Sequence, residues 1–343
     1  MKEFIEQISE QIKGATKIAG NKVYRKYQHS ISPDDIPMSR ILRGEVITNV
    51  LVCGVGGSGI AGTIVANLFK DDLTLPVLVN KSYNIPNWVN NTTLVIISSY
   101  SGTTEETISC FHEALQVTKK IICISTGGSI VEIAKENNID YVLIPGGYHP
   151  RAALIYSLIQ LIDILGKQGI IRDRTLEIKE SIPFIDEEKL NIAKAANIYS
   201  GFMSDASGIH IYSDDVNEGI ATRFKQQLNE NSKVECYVSI LPEMNHNEIV
   251  ALGASNGSTI KHIMLNTGFK SIDMVRRFEF VSKILTNAQI ENYEIKIHGN
   301  NSIQKMMYAI HLTDLISYNL SVVNNVDPFD VNIITDLKNF IKL

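Results

Sequence analysis

The sequence predicts an α/β protein of two doubly wound halves, each a mainly parallel sheet flanked by helices. Three observations predict it. Apolar runs of strand length are nearly uninterrupted, as in strands buried on both faces. They alternate with segments of helical character. The alternation runs through the chain twice, over 343 residues, a length comfortable for two domains.

Taken in order, residues 1–8 alternate charges with apolar side chains and read as an amphipathic helix. Residues 46–53 form a strand that runs into glycines, followed by a helix over 60–69. Strands follow at 76–79, 93–98, 120–124 and 141–144, with helices at 104–117 and 130–136 between them. An apolar helix is expected over 151–166, and the charged stretch 172–189 marks a boundary. Strands at 208–212, 234–239, 259–265 and 293–297 then alternate with helices at 218–228, 273–286 and 302–322. A short helix over 332–343 closes the chain. The expected organisation is a first domain over 1–166, a connecting region over 167–189 and a second domain over 190–343. The two halves share a pattern of elements without visible sequence identity.

Composition narrows the function. The apolar fraction is 44% and the charged fraction 20%, ordinary for a globular protein, and the net charge is −5. No basic excess points to nucleic acid. No run of about 18 apolar residues points to a membrane span, and no secretory leader is visible, so a cytoplasmic protein is expected. The cysteines Cys53, Cys110, Cys123 and Cys236 form no C-x-x-C pair and read as reduced, buried side chains. No H-E-x-x-H or Cys/His cluster is present, so neither a metal nor another cofactor is expected.

Two loops carry the chemistry. Gly54-Val55-Gly56-Gly57-Ser58-Gly59 follows a strand and opens a helix. Glycines let a backbone approach an anion, and the helix N-terminus offers unpaired N–H groups. The run satisfies G-x-G-x-x-G, yet the next strand ends Val79-Asn80-Lys81, with no carboxylate for a dinucleotide ribose. No Lys-Ser or Lys-Thr follows the glycines, which excludes a Walker A loop. A tight turn without ligand is the plainer reading. The second loop, Ser98-Ser99-Tyr100-Ser101-Gly102-Thr103-Thr104-Glu105-Glu106-Thr107, places four hydroxyls, those of Ser99, Ser101, Thr103 and Thr104, at a strand C-terminus and helix N-terminus. They suit the oxygens of a phosphate. The alternative is simple N-capping by Ser101 or Thr103.

Gly56-Gly57-Ser58-Gly59 together with Ser99-Tyr100-Ser101-Gly102-Thr103-Thr104-Glu105-Glu106-Thr107 resembles the signature pair of sugar isomerase (SIS) domains. Pro150-Arg151-Ala152-Ala153-Leu154, Leu228-Asn229-Glu230-Asn231-Ser232-Lys233 and Met244-Asn245-His246-Asn247-Glu248-Ile249 sharpen the match. In that order, from about residue 45 to the end, they resemble the bifunctional phosphoglucose/phosphomannose isomerases known mainly from archaea. The resemblance implies two SIS-type domains and metal-independent interconversion of glucose 6-phosphate and mannose 6-phosphate with fructose 6-phosphate. It implies that Gly56, Gly57, Ser58, Ser99, Ser101 and Thr104 hold the phosphate. Glu230 becomes the base moving a proton between C1 and C2, and His246 assists ring opening. Arg151 sits beside the enediolate, and Lys338 assists at the ring oxygen. It further implies a homodimer whose histidine serves the neighbouring subunit's site. Two positions depart from the pattern. Thr103 stands where relatives often carry Asn, and Phe329 where they often carry Thr, which bears on the acceptance of both epimers. A sugar-phosphate-sensing module without catalysis, an isomerase of another phosphosugar and a nicotinamide enzyme are the competing readings.

The residue types fit the chemistry. Proton transfer next to a carbonyl needs a carboxylate base in a partly dry pocket, and a cation where negative charge develops. Ring opening needs a group that exchanges protons near neutrality, as histidine does.

Overall fold

The computed structural model describes residues 1–29, 46–255, 258–268 and 271–341. Two compact units divide the chain, residues 7–183 on the one hand and residues 1–6 with 184–343 on the other. The chain opens with α1 (Lys2–Glu6) and α2 (Ile8–Asn21). Strands β1 (Gln28–His29) and β2 (Val46–Ile47) form a short parallel pair. The first unit then runs β3 (Asn49–Cys53), α3 (Gly56–Leu68), β4 (Val77–Asn80), β5 (Thr93–Ser99), α4 (Glu105–Val117), β6 (Ile121–Ser125), α5 (Gly128–Glu136) and β7 (Asp140–Leu143). A 3-10 turn (Pro150–Ala152) and α6 (Leu154–Gln168) follow.

Among the described residues this unit's main sheet has the order β4-β3-β5-β6-β7, parallel throughout. All seven residues of β5 are buried, and so are all five of β6, which explains their unbroken apolar runs. The edge strand β4 is only partly buried. The helix after β3 starts at Gly56, four residues before the apolar run expected from 60. Glycine is a poor helix former and hides a helix's first turn from a propensity reading. Likewise Arg151 lies in the 3-10 turn ahead of α6 and not inside that helix. Helix α6 ends at Gly169, whose φ of 76° is the left-handed stop that glycine adopts freely.

Most of the charged stretch expected to mark a boundary lies in α7 (Thr175–Phe202), a 28-residue helix with Pro183 inside it, and the two units divide within that helix, between 183 and 184. Its charges and its proline obscured the helical pattern. The second unit continues with β8 (Gly208–Asp214), α8 (Glu218–Gln227), a π-helical turn (Leu228–Ser232), β9 (Cys236–Leu241), a 3-10 turn (Glu243–His246) and α9 (Glu248–Ala254). Then come β10 (Ile260–Asn266), α10 (Ile272–Asn287), β11 (Asn292–Lys296), α11 (Ser302–Val323) and α12 (Asn332–Ile341). The helix expected over 332–343 is present to Ile341, and its last two positions lie outside the described residues.

The four strands β11-β10-β8-β9 are again parallel. Numbered from each unit's first main strand, the sheets read 2-1-3-4-5 and 2-1-3-4, so the two halves share a topology. One face of the second sheet packs Tyr212, Leu241 and Met264 against Met244, Leu252, Phe278 and Val281 of the turn, α9 and α10. Helices α8 and α11 pack on each other. Between them Arg223 Nη2 donates to Asp314 Oδ2 at 2.6 Å, with both side chains almost fully buried. Removing one partner of such a pair strands a charge. Asp314→Ala is therefore expected to cost about 3–5 kcal/mol, read as a lower urea midpoint, whereas Arg223→Met with Asp314→Leu should recover most of that loss.

Candidate active site

In the first unit the winding reverses between β3 and β5, which stand side by side in the sheet. Their C-termini send the chain to opposite faces and leave a crevice between the following loops. The glycine loop follows β3 and the serine loop follows β5. Ser58 joins them, its Oγ accepting from the Tyr100 backbone N–H at 3.1 Å. A Cβ on Gly59 would stand 2.3 Å from the Gly54 carbonyl oxygen, so only glycine permits this tight turn.

The hydroxyls of the serine loop face one another. Ser99 Oγ lies 2.8 Å from Thr104 Oγ1, and Ser101 Oγ lies 3.5 Å from the same atom. Thr103 Oγ1 donates to Ser101 Oγ at 3.2 Å, and the Gly102 N–H donates to Ser99 Oγ at 3.1 Å. The capping alternative is not what this loop does. Thr104 occupies the N-cap position of α4, and its side chain makes no capping bond there. The hydroxyls thus cluster beside a helix start whose first N–H groups lack intrahelical acceptors. Glu105 and Glu106 lie in the helix's first turn.

Two neighbours that the sequence reading did not single out lie against the serine loop. Gly102, at φ 71°, lies so close to the loop after β6 that a Cβ would meet the Gly127 carbonyl oxygen at 1.8 Å. Tyr100 Oη accepts from the Tyr148 N–H at 3.0 Å, which ties the serine loop to the segment entering the Pro150–Ala152 turn. The small residues Ser125 to Gly128 after a buried strand were the available signal for the first. Nothing in the sequence signalled the second.

The Pro150–Ala152 turn abuts the glycine loop, where a Cβ on Gly57 would stand 3.4 Å from the Pro150 carbonyl oxygen. Arg151 is buried, and its Nη1 lies 3.0 Å from His149 Nδ1. Burial, then the Arg151 charge, holds His149 below the usual histidine range. Gly56, Gly57, Ser58, Ser99, Ser101, Thr104 and Arg151 are therefore grouped within one unit.

In the second unit Glu230 is half-buried in the π-helical turn that ends α8. Such turns are rare and recur at functional sites. Its neighbours fasten it to α11. Asn231 Nδ2 donates to Ser317 Oγ at 3.0 Å, and Ser232 Oγ donates to the Ser317 carbonyl at 2.6 Å. Lys233, at φ 57°, ends the turn and donates from Nζ to the carbonyls of Glu230 and Asp327 at 2.6 and 2.8 Å. The last of these reaches the segment that carries Phe329, which is 45% exposed.

His246 is exposed in the 3-10 turn beyond the other end of β9. Glu230 precedes β9 and His246 follows it. Six strand residues separate the two turns by roughly 20 Å, so this unit does not bring the two side chains together. Lys338 is exposed on α12, none of whose described residues is buried. Among the described residues no three His, Cys, Asp or Glu side chains converge as metal ligands, and no helix is long and apolar enough to cross a membrane.

The first unit is thus a doubly wound fold with hydroxyl- and glycine-rich loops at its switch point, the place where such folds take ligands. The C-terminal domain of glucosamine-fructose-6-phosphate aminotransferase from Francisella tularensis shares the fold, with a TM-score of 0.70 and 15% identity over 95% of this chain and 98% of that one. Residues 194–341 match the family described as the bacterial phospho-glucose isomerase C-terminal SIS domain. The bifunctional phosphoglucose/phosphomannose isomerase of Caldicellulosiruptor bescii is 34% identical over 319 residues, 87% of this chain and 91% of the relative. That of Aquifex aeolicus is 33% identical over 298 residues, 85% and 90% of the two chains. The chain belongs to the bifunctional phosphoglucose/phosphomannose isomerase family.

The bolted turn makes one local prediction. Ser317→Ala removes the buried hydroxyl that accepts from Asn231 Nδ2, at a cost of about 1–3 kcal/mol. Backbone amides of residues 229–232 should then exchange with solvent at least tenfold faster, as measured by hydrogen–deuterium exchange, while those of β5 stay unchanged.

Proposed function

We propose that the protein is an aldose–ketose isomerase that interconverts glucose 6-phosphate and mannose 6-phosphate with fructose 6-phosphate, through a cis-enediolate and without a metal. The observation that carries the reading is the meeting of the glycine and serine loops at the sheet's switch point, with a buried arginine on the adjoining turn, in a chain related to such isomerases over most of its length.

Ser58, Ser99, Ser101 and Thr104 take the phosphate oxygens, together with backbone N–H groups at Gly56 and Gly57. The unreactive phosphate supplies binding energy that orients the sugar. Glu230 removes the proton from C2 of the open-chain aldose and returns it to C1. Its turn is held from both sides, which suits a base whose reach must be fixed. The oxygen that becomes negative needs a cation, and Arg151 supplies one. His246 moves a proton during ring opening, with Lys338 at the ring oxygen. Rotation of the open-chain enediol presents the opposite face of C2 to the same base, which admits the mannose epimer. Phe329 sits next to the segment bound by Lys233 and bears on that choice.

The site is shared between two subunits of a homodimer. What supports this is the separation of Glu230 and His246 by the length of β9, which leaves each to serve a different site. The two compact units, 7–183 and 1–6 with 184–343, act as the SIS-type domains, in place of the 1–166 and 190–343 division expected from the sequence. We place the protein in the cytoplasm, acting on small sugar phosphates and not on nucleic acid.

The test is formation of fructose 6-phosphate from each aldose with a strong chelator present. Conversion of both is expected. Glu230→Gln should bind fructose 6-phosphate normally while losing about 10²–10⁴ in kcat. Unchanged sugars with normal binding would turn the protein into a non-catalytic sugar-phosphate module. For the shared site, Glu230→Gln and His246→Ala proteins, each inactive alone, should regain activity on subunit exchange, because one mixed site then holds both native side chains. Failure to regain it would place both residues in one subunit's site.

A further inference from the structure

Outside the proposed machinery, the second sheet carries a chain of polar side chains on the face covered by α9. Strand register aligns His210 of β8 with His262 of β10, and Tyr212 of β8 with Ser239 of β9, all on one face. Ser239 Oγ hydrogen-bonds to Glu248 Oε2, and His210 Nε2 lies 2.6 Å from Ser239 Oγ and 3.8 Å from that same carboxylate oxygen. Tyr212 Oη lies 3.3 Å from His210 Nδ1 and 3.0 Å from His262 Nδ1.

The hydrogens of this chain have a single direction when Glu248 is ionised. A carboxylate only accepts, so Ser239 donates to Glu248. The Ser239 oxygen then accepts from the Nε2–H of His210, whose Nδ1 is left to accept from the Tyr212 hydroxyl. The Tyr212 oxygen in turn accepts from the Nδ1–H of His262. Burial favours the neutral imidazoles that this arrangement requires, pushing His210 down and His262 down to about 4.

The chain ends at a short helix that is otherwise held by Ile249 and Leu252 against the core, by the Asn247 cap and, in the turn before it, by Arg277 Nη1 donating to Asn245 Oδ1 at 3.2 Å. Among the seven residues of α9 only Leu252 is buried, and Val250 is 74% exposed. A helix this short has no stability of its own. His246 stands midway between two anchors. Two residues before it Met244 is buried in the core, and two residues after it Glu248 is fastened to the sheet.

We propose that Glu248 is a positioning residue: by hydrogen-bonding Ser239, and through it His210, it pins the start of α9 and so fixes the turn that presents His246. The proposal rests on the role assigned to His246 above. It uses no contact between Glu248 and the sugar.

The experiment measures kcat and KM for fructose 6-phosphate formation in the full-length protein. Glu248→Ala should lower kcat by roughly ten- to hundredfold, the effect of about 1 Å of misplacement, with KM within about twofold. Ser239→Ala cuts the same link from the sheet side and should match it. The double variant should be no slower than either single one, since residues acting as one unit are non-additive. Glu248→Gln keeps an acceptor oxygen and should restore most of the rate. Nitrogen-15 NMR should show His210 as the Nε2–H tautomer in the wild type, a preference lost in Glu248→Ala. Wild-type kcat in either alanine variant, beside an impaired His246→Ala, overturns the clamp, as does a Glu248→Gln protein as slow as Glu248→Ala. An unimpaired His246→Ala overturns instead the role of the histidine itself, and the clamp's purpose with it.

Discussion

Parallel pairing governs this molecule. Neighbouring parallel strands cannot be joined by a tight turn, so every connection must cross a face of the sheet. Where the winding reverses, adjacent strands send their loops to opposite faces, and a crevice opens between them. In the first unit that place is the β3–β5 pair, and both chemistry-bearing loops emerge there. The Ser58–Tyr100 bond, the hydroxyl cluster and the approach of the Arg151 turn are all consequences of strand order.

The second unit repeats the topology and treats its switch point differently. After β8, Asp214 Oδ1 accepts from the backbone N–H and side-chain amide of Asn217. Asn217 Nδ2 also lies 2.6 Å from Thr267 Oγ1, in the segment after β10. Loops that in the first unit offer glycines and hydroxyls are here joined by their own side chains. A buried carboxyl, whose pKa burial raises, stands at this place. Two of the second unit's candidate residues, Glu230 and His246, sit elsewhere, at the two ends of its edge strand β9.

Both of those residues are exposed or half-exposed groups on short irregular turns, and both turns are tied to regular structure nearby. Ser317 of α11 holds the neighbours of Glu230, and the sheet holds the neighbours of His246 through Met244 and Glu248. Rigid elements thus carry precision to side chains that must remain accessible. The shared logic explains why buried serines and asparagines, costly in a core unless bonded, recur beneath these turns.

The sequence by itself determined the buried strands, since unbroken apolar runs such as 93–98 leave no solvent face. It also located the two loops that gather glycines and hydroxyls at strand ends, and the motif order that marks the family. Its failures are physical as well. Helix α7 was hidden by charge and by Pro183, the first turn of α3 by glycine, and the turn before α6 by the apolar run that follows it. Apolar patterning is non-directional: it records which face of an element is buried, not which element covers it. Only the tertiary structure decided that Ser58 meets Tyr100, that the Arg151 turn lies against the glycine loop, and that Glu230 and His246 stand at opposite ends of one strand. Those facts depend on strand order and register, which join residues tens of positions apart and leave no periodic trace in the chain.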